Sequence, residues 1–254
     1  MATSNSTQRF SSRVDNYVLY RPGYPPEVLE TLQRDCGLTS SSVVADVGSG
    51  TGLLTKVFLD NGNSVFAVEP NQDMREAGER SLGGYPRFTS VDGTAEATTL
   101  ASHTVDLVTA GQAAHWFDLA KARAEFARIL KPKGWAVLVW NERKTASTPF
   151  LVEYENLLVA CGTDYSQVRH ERTTERIGSF FDPASYQSKT FQYRQTFDYE
   201  SLQGRLLSSS YTPLPSDSRY APMLAELRRL FDTHQSGGHI AFEYETRMYY
   251  GQLA

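Results

Sequence analysis

The chain has 254 residues, 40% of them hydrophobic and 21% charged, which suits one large domain or two small ones with a core that needs no staples. Twenty-five basic against 29 acidic residues leave a net charge of -4, and this argues against nucleic-acid binding by bulk phosphate neutralisation. Cys36 and Cys161 are too few for a disulfide framework or a zinc site, no stretch approaches the ~20 apolar residues of a membrane span, and the polar opening residues carry no apolar leader. A reduced, cytoplasmic protein is expected, with no metal and no nucleic-acid or membrane partner.

From Ser42 to Asn141, short apolar runs alternate with helical stretches. VVADVG (Val43 to Gly48) predicts a strand, and TGLLTKVFLDNG a helix with Leu53, Leu54, Val57 and Phe58 on one face. SVFAVEP predicts a second strand, and Asn71 to Leu82 a helix capped by Asn71. RFTSVDG and VDLVTAG give a third and a fourth strand. Asp118 to Leu130 is a helix stopped at Lys131-Pro132-Lys133-Gly134, and WAVLVW is a fifth strand. Strands that are apolar throughout, separated by amphipathic helices, imply a parallel sheet covered on both faces.

Beyond Asn141 the pattern changes. Phe150 to Cys161 has helical character within a mixed, aromatic stretch, and APMLAELRRLF is an amphipathic helix. TFQYRQTF places Phe191, Tyr193 and Phe197 on one face at strand period. HIAFEYETRMYY does the same with Ile240, Phe242, Tyr244, Met248 and Tyr250. These two segments predict an antiparallel pair appended to the parallel sheet.

The sharpest motif is DVGSGTG, Asp46 to Gly52, between a strand and a helix. Glycines at 48, 50 and 52 allow a tight turn and a ligand's close approach to backbone amides at a helix N-terminus. Glu69 closes the next strand, near the ~20-residue offset at which a carboxylate accepts both hydroxyls of a ribose. The two together point to a nucleoside ligand. The spacing G-x-G-x-G departs from the dinucleotide G-x-G-x-x-G, and the leading Asp46 suits a cationic ligand, although an acid there can also cap the loop's own amides.

DVGSGTG, VEPNQDM, VDGTAEATTL, VDLVTAGQAAHWFD and ARILKPKGWAVLVWN follow one another in the order of the class I S-adenosylmethionine-dependent methyltransferases. The chain resembles their small-molecule branch, typified by trans-aconitate and ubiquinone-biosynthesis methyltransferases. The opening YVLYRPGYP, Tyr17 to Pro25, is similar to the same branch. The resemblance covers residues 10 to about 142. It implies an α/β, doubly wound, Rossmann-like fold with seven strands, mostly parallel, ending in an antiparallel hairpin in the order 3-2-1-4-5-7-6. One domain is expected over 1–254: a cap at 1–34, a core at 35–144 and 188–254, and a lid insertion at about 145–187.

The resemblance also implies S-adenosyl-L-methionine as cofactor and a site to hold it. Gly48, Ser49, Gly50 and Gly52 meet the methionine part with Asp46 nearby. Glu69 takes the ribose, while Pro70, Asn71 and Met74 flank the adenine. Thr94, Ala95 and Glu96 lie where the family's G-D-A-E segment holds the adenine edge, with Thr94 replacing the aspartate so that contact falls to the Ala95 amide. Gln112 faces the methionine portion. Tyr17, Arg21, His115 and Trp116 are expected at the substrate, Arg21 to meet a carboxylate. His115 is the candidate general base, set against the plainer reading of His115, Trp116 and Phe117 as one wall of the cavity.

The expected activity is in-line transfer of a methyl group to a small molecule, at a carboxylate or hydroxyl oxygen. The rival readings are a non-catalytic S-adenosylmethionine sensor and an NAD-dependent oxidoreductase. Trp135 and Trp140 read as core, Arg228-Arg229 as a solvated face, and His103, His170, His234 and His239 as surface residues. Ser208 to Pro215 reads as a plain loop or as the substrate mouth. Phe180, Phe181 and Tyr186, and the segment Phe10 to Tyr24, read as lids that exclude water. No heptads mark an oligomer, so a monomer is the default.

Overall fold

The computed structural model describes residues 14–163, 165 and 173–253. A seven-stranded sheet runs in the order β3-β2-β1-β4-β5-β7-β6. Its strands are β1 (Val43–Val47), β2 (Ser64–Val68), β3 (Phe88–Val91), β4 (Val105–Gly111), β5 (Leu130–Arg143), β6 (Gln187–Phe197) and β7 (Ile240–Gly251). The pairs from β3 through β5 are parallel, while β5–β7 and β7–β6 are antiparallel. The expected order and the appended hairpin are both present. β5 begins at Leu130, before the Lys-Pro-Lys-Gly stop, and its pairing with β4 shifts register between Val105 and Leu107.

The helices are α1 (Val14–Tyr20), α2 (Pro26–Cys36), α3 (Leu53–Asp60), α4 (Gln72–Leu82), α5 (Leu119–Ile129), α6 (Pro149–Cys161), α7 (Thr173–Phe181), α8 (Tyr199–Leu207) and α9 (Tyr220–His234). Strand alternation divides the central core. Val44, Leu107, Val137 and Val139 pack with Leu32 of α2 and Phe58 of α3. Ala45, Val108, Leu138 and Trp140 pack on the opposite side with Phe126 of α5 and Phe180 of α7. A separate cluster joins α6, α8 and α9 to Phe197 of β6 and Phe242 and Tyr244 of β7. Removing a buried ring such as Phe126, with no exposed surface, is worth about 3–5 kcal/mol.

Several local expectations change. The buried face of α3 is Leu54, Thr55, Phe58 and Leu59, not the stripe through Leu53 and Val57. Thr55 turns inward because a buried carboxylate waits for its hydroxyl (Asp46, below). Phe180 and Phe181 are wholly buried instead of forming a lid, and Phe180 meets the Phe126 ring edge-on at 5.6 Å. Tyr186 stacks on Phe181 at 5.1 Å. His234 is no isolated surface residue: its Nε2 lies 2.9 Å from Glu153 Oε1, and its ring meets Phe150. Phe10 and His170 lie outside the described residues. Among the described residues, no helix is long and apolar enough to cross a membrane.

Candidate active site

The C-terminal ends of the parallel strands open into a cleft of about 990 Å³, large enough for a nucleoside cofactor and a second small molecule. That end of an open α/β sheet is where ligands bind. One half of the cleft is lined by the turn after β1, the Glu69–Met74 segment after β2 and Thr94–Glu96. The other half is lined by Arg21–Tyr24, the end of β5, β7, and α8 with its following loop.

The glycine turn is shaped by its own backbone. Gly48 has φ +69 and Gly50 φ +58, values an L side chain adopts only with strain. A Cβ at Gly48 would also sit 2.5 Å from the Ala113 Cβ. Gly52 caps α3 at φ 89 and does not line the cleft, so its role is to start the helix.

The amides of this turn are bonded within the protein. Gly48 N and Ser49 N donate to Val68 O at 2.8 and 3.1 Å. Gly50 N donates to Glu69 Oε2 at 2.8 Å, and Asn71 N donates to Glu69 Oε1 at 2.9 Å. The sequence suggested amides bared to a ligand, but all three at 48–50 are committed to β2 and its carboxylate. Each Glu69 oxygen keeps a further lone pair, because a carboxylate accepts up to about four hydrogen bonds. Glu69 is 8% exposed, and burial raises its pKa against the pull of the two amides.

Asp46 lies beneath the turn, 1% exposed. Thr55 Oγ1 donates to its Oδ2 at 2.6 Å and Thr109 Oγ1 to its Oδ1 at 3.1 Å. Burial lifts its carboxyl from 3.8 to about 6, against these bonds and the Thr55 amide. Asp46 thus anchors the first turn of α3 from within.

Asn71 caps α4, its Oδ1 accepting from Met74 N at 3.0 Å, and this fixes Pro70, Asn71 and Met74 on one wall. Ala95 is buried and Thr94 exposed. Glu96 accepts from Asp118 N at 2.9 Å, joining the third loop to the start of α5. Gln112, at φ +58 just past β4, donates from Nε2 to Asn141 O at 2.8 Å.

His115 and Trp116 occupy a single 3₁₀ turn after β4 and line the cleft with ring centroids 4.7 Å apart; Trp116 is 41% exposed. Arg21 also lines it, with Nη2 donating to Ser208 O at 3.0 Å. Tyr17 lies on α1, but its side chain falls outside the described residues.

Sequence reasoning missed much of the second half. Asn141, at the end of β5, donates from Nδ2 to Gly23 O at 2.8 Å and accepts on Oδ1 from Thr246 Oγ1 at 2.6 Å. Arg143, Arg205 and Arg247 line the same half with Tyr211 and Tyr244. Arg143 pairs with Glu155 at 2.6 Å, and Arg247 pairs with Glu142 and Glu245. The signal that would have found Arg205 is its place one turn from Leu202 and next to Leu206, on the buried face of α8. Ser210 and Tyr211 place the loop after α8 at the cleft, as the mouth reading of Ser208 to Pro215 expected.

Sheet order, glycine turn and terminal carboxylate together define the class I methyltransferase fold. Comparison with known proteins agrees with that fold: residues 45–138 match the methyltransferase domain family. An uncharacterised methyltransferase of Mycobacterium tuberculosis strain H37Rv is 40% identical over 134 residues, 53% of this chain and 52% of that protein. Another from Schizosaccharomyces pombe is 32% identical over 156 residues, 60% of this chain and 59% of its own. The chain therefore spans about half the length of the curated relatives it matches. The solved structure of a candidate type II methyltransferase from Anaeromyxobacter dehalogenans covers 92% of this chain and 98% of its own at a TM-score of 0.67 and 21% identity, a likeness of fold.

Proposed function

We propose that the protein transfers a methyl group from S-adenosyl-L-methionine to a small-molecule acceptor, at a carboxylate or hydroxyl oxygen, and releases S-adenosylhomocysteine. The observation that carries this reading is the commitment of the amides at 48–50 to β2, with Glu69 left facing the cleft. A ribose diol has hydroxyls to give to Glu69. A dinucleotide's pyrophosphate needs amide donors that this turn has already used, which disfavours the oxidoreductase reading.

The cofactor supplies a methyl carbon already activated on a cationic sulfur. The chain's work is to bind, orient and keep dry. Glu69 holds the ribose; Pro70, Asn71 and Met74 flank the adenine; Thr94, Ala95 and Glu96 meet its edge. Gln112 and the turn at 48–50 receive the methionine part, with Asp46 giving negative potential from below. Holding acceptor and methyl in line is worth roughly 7–11 kcal/mol of the barrier. Arg21 and Trp116 stand at the acceptor's side, the role the sequence also assigns to Tyr17. His115 serves as a wall of the cleft, because a carboxylate acceptor has no proton to lose.

Equilibrium dialysis with labelled S-adenosylmethionine, followed by turnover on a panel of small acids and phenols, tests the proposal. Uptake with oxygen methylation supports it, transfer to amines alone overturns the oxygen assignment, and binding without turnover on any acceptor leaves a sensor. His115→Ala should turn over at a near-normal rate with intact cofactor binding; a collapse in turnover with binding preserved makes His115 the base.

A further inference from the structure

Arg205 is 6% exposed, sits on the buried face of α8 and lines the acceptor half of the cleft. Its hydrogen-bond and ring partners are uncharged side chains. Nη1 donates to Ser209 Oγ at 3.2 Å, the guanidinium carbon lies 5.9 Å from the Phe242 ring centroid, and Tyr244, Tyr154 and Tyr211 are the groups that act on its charge. Among the described residues Nε has no hydrogen-bond partner, and no carboxylate pairs with the guanidinium. The adjoining arginines differ, since Arg143 and Arg247 each have a carboxylate within ion-pair distance. A buried cation without a counter-charge costs stability, so its place at a cleft wall calls for a partner that arrives from outside.

We propose that Arg205, with Tyr211 and Tyr244 beside it, is the subsite that receives a carboxylate group of the methyl acceptor. The guanidinium fork matches a planar carboxylate, and tyrosine hydroxyls can donate to the same oxygens. One uncompensated positive charge calls for a single negative one, which favours a carboxylate over a doubly charged phosphate. The acceptor part of this assignment rests on the methyltransferase reading, whereas the anion subsite can be measured without it.

The test titrates the full chain with small mono-, di- and tricarboxylic acids, each beside its primary amide, with and without S-adenosylhomocysteine. We expect at least one acid to bind, its amide to bind at least about tenfold more weakly, and Arg205→Met to weaken the acid by at least about tenfold while S-adenosylhomocysteine affinity stays within about twofold. Arg205→Lys keeps the charge without the fork, so it should retain the preference for acid over amide at lower affinity. The Tm of ligand-free Arg205→Met should equal or exceed that of the wild type, because an unpaired buried charge has been removed. Equal binding of acid and amide, unchanged acid affinity in Arg205→Met, or no acid bound by about 10 mM, a free energy near -3 kcal/mol, would each overturn the subsite. Failure of S-adenosylhomocysteine to bind would instead remove the methyltransferase reading, since titrations without it still report on Arg205.

Discussion

Glu69 and Gly50 are bonded directly, the Gly50 amide donating to Oε2 at 2.8 Å across the gap between the end of β2 and the glycine turn. With the second bond from Asn71 N, one carboxylate holds both the turn and the start of α4. Glu69→Ala removes a ligand acceptor and releases two amides together. The expected loss of S-adenosylmethionine affinity by calorimetry is about 10–100-fold, the worth of hydrogen bonds to a charged group. Wild-type affinity in this variant would refute the role of Glu69.

Gly48→Ala combines two penalties. Its backbone holds φ +69, worth about 1–2 kcal/mol against any L side chain, and the new methyl meets Ala113 Cβ at 2.5 Å. Urea unfolding should show a loss above the backbone cost alone. Adding Ala113→Gly relieves the collision but not the dihedral, so the double variant should recover only part of it. Full recovery would mean that the left-handed turn carries no strain.

Asp46 makes stability depend on pH. Its carboxyl rises from 3.8 to about 6 through burial, so the folded chain binds this proton more tightly than the unfolded chain. The cost of the buried charge is absent below about pH 4, grows between about 4 and 6, and is complete above about 6, reaching about 3 kcal/mol. Asp46→Asn lacks that charge. Relative to wild type, its unfolding free energy should therefore climb with pH across this window in urea titrations. A difference that stays flat would show that the carboxyl titrates normally.

Arg143 and Glu155 form an ion pair at 2.6 Å with side chains only 9% and 13% exposed. Breaking it from either side should not be equivalent. Glu155→Gln leaves a buried guanidinium with the Tyr165 hydroxyl at a longer 3.3 Å and should cost about 3–5 kcal/mol, whereas Arg143→Met leaves a carboxylate accepting from that hydroxyl at 2.7–2.8 Å and should cost less. Thermal unfolding of the two variants side by side decides; equal losses would deny the asymmetry.

The parallel half of the sheet was legible because most of its strands are predominantly apolar runs closed by glycine, proline or an acid. The half of the cleft lined by the turn after β1, the Glu69–Met74 segment and Thr94–Glu96 was legible for a related reason: its residues cluster in short segments directly after those strands. The other half was not, because Asn141 at the end of β5, Arg205 and Tyr211 on and just after α8, and Tyr244 and Arg247 on β7 come from three separated segments and meet only in the folded chain. Thr55 was missed because a hydrophobic stripe cannot register a hydroxyl that is satisfied indoors by Asp46. Arg205 was missed for the converse reason, since a charge on a helix normally marks the solvent face.

The side chain of Asn141 ties the loop at Gly23 to Thr246 of the last strand, and its main-chain carbonyl receives Gln112 from the end of β4. A single residue thereby works as a latch on the rim. Residues 21–24 are held through it to β7, and the same residue anchors Gln112. The entrance segment at 21–24 and the residue just past β4 are thus mechanically linked through one asparagine.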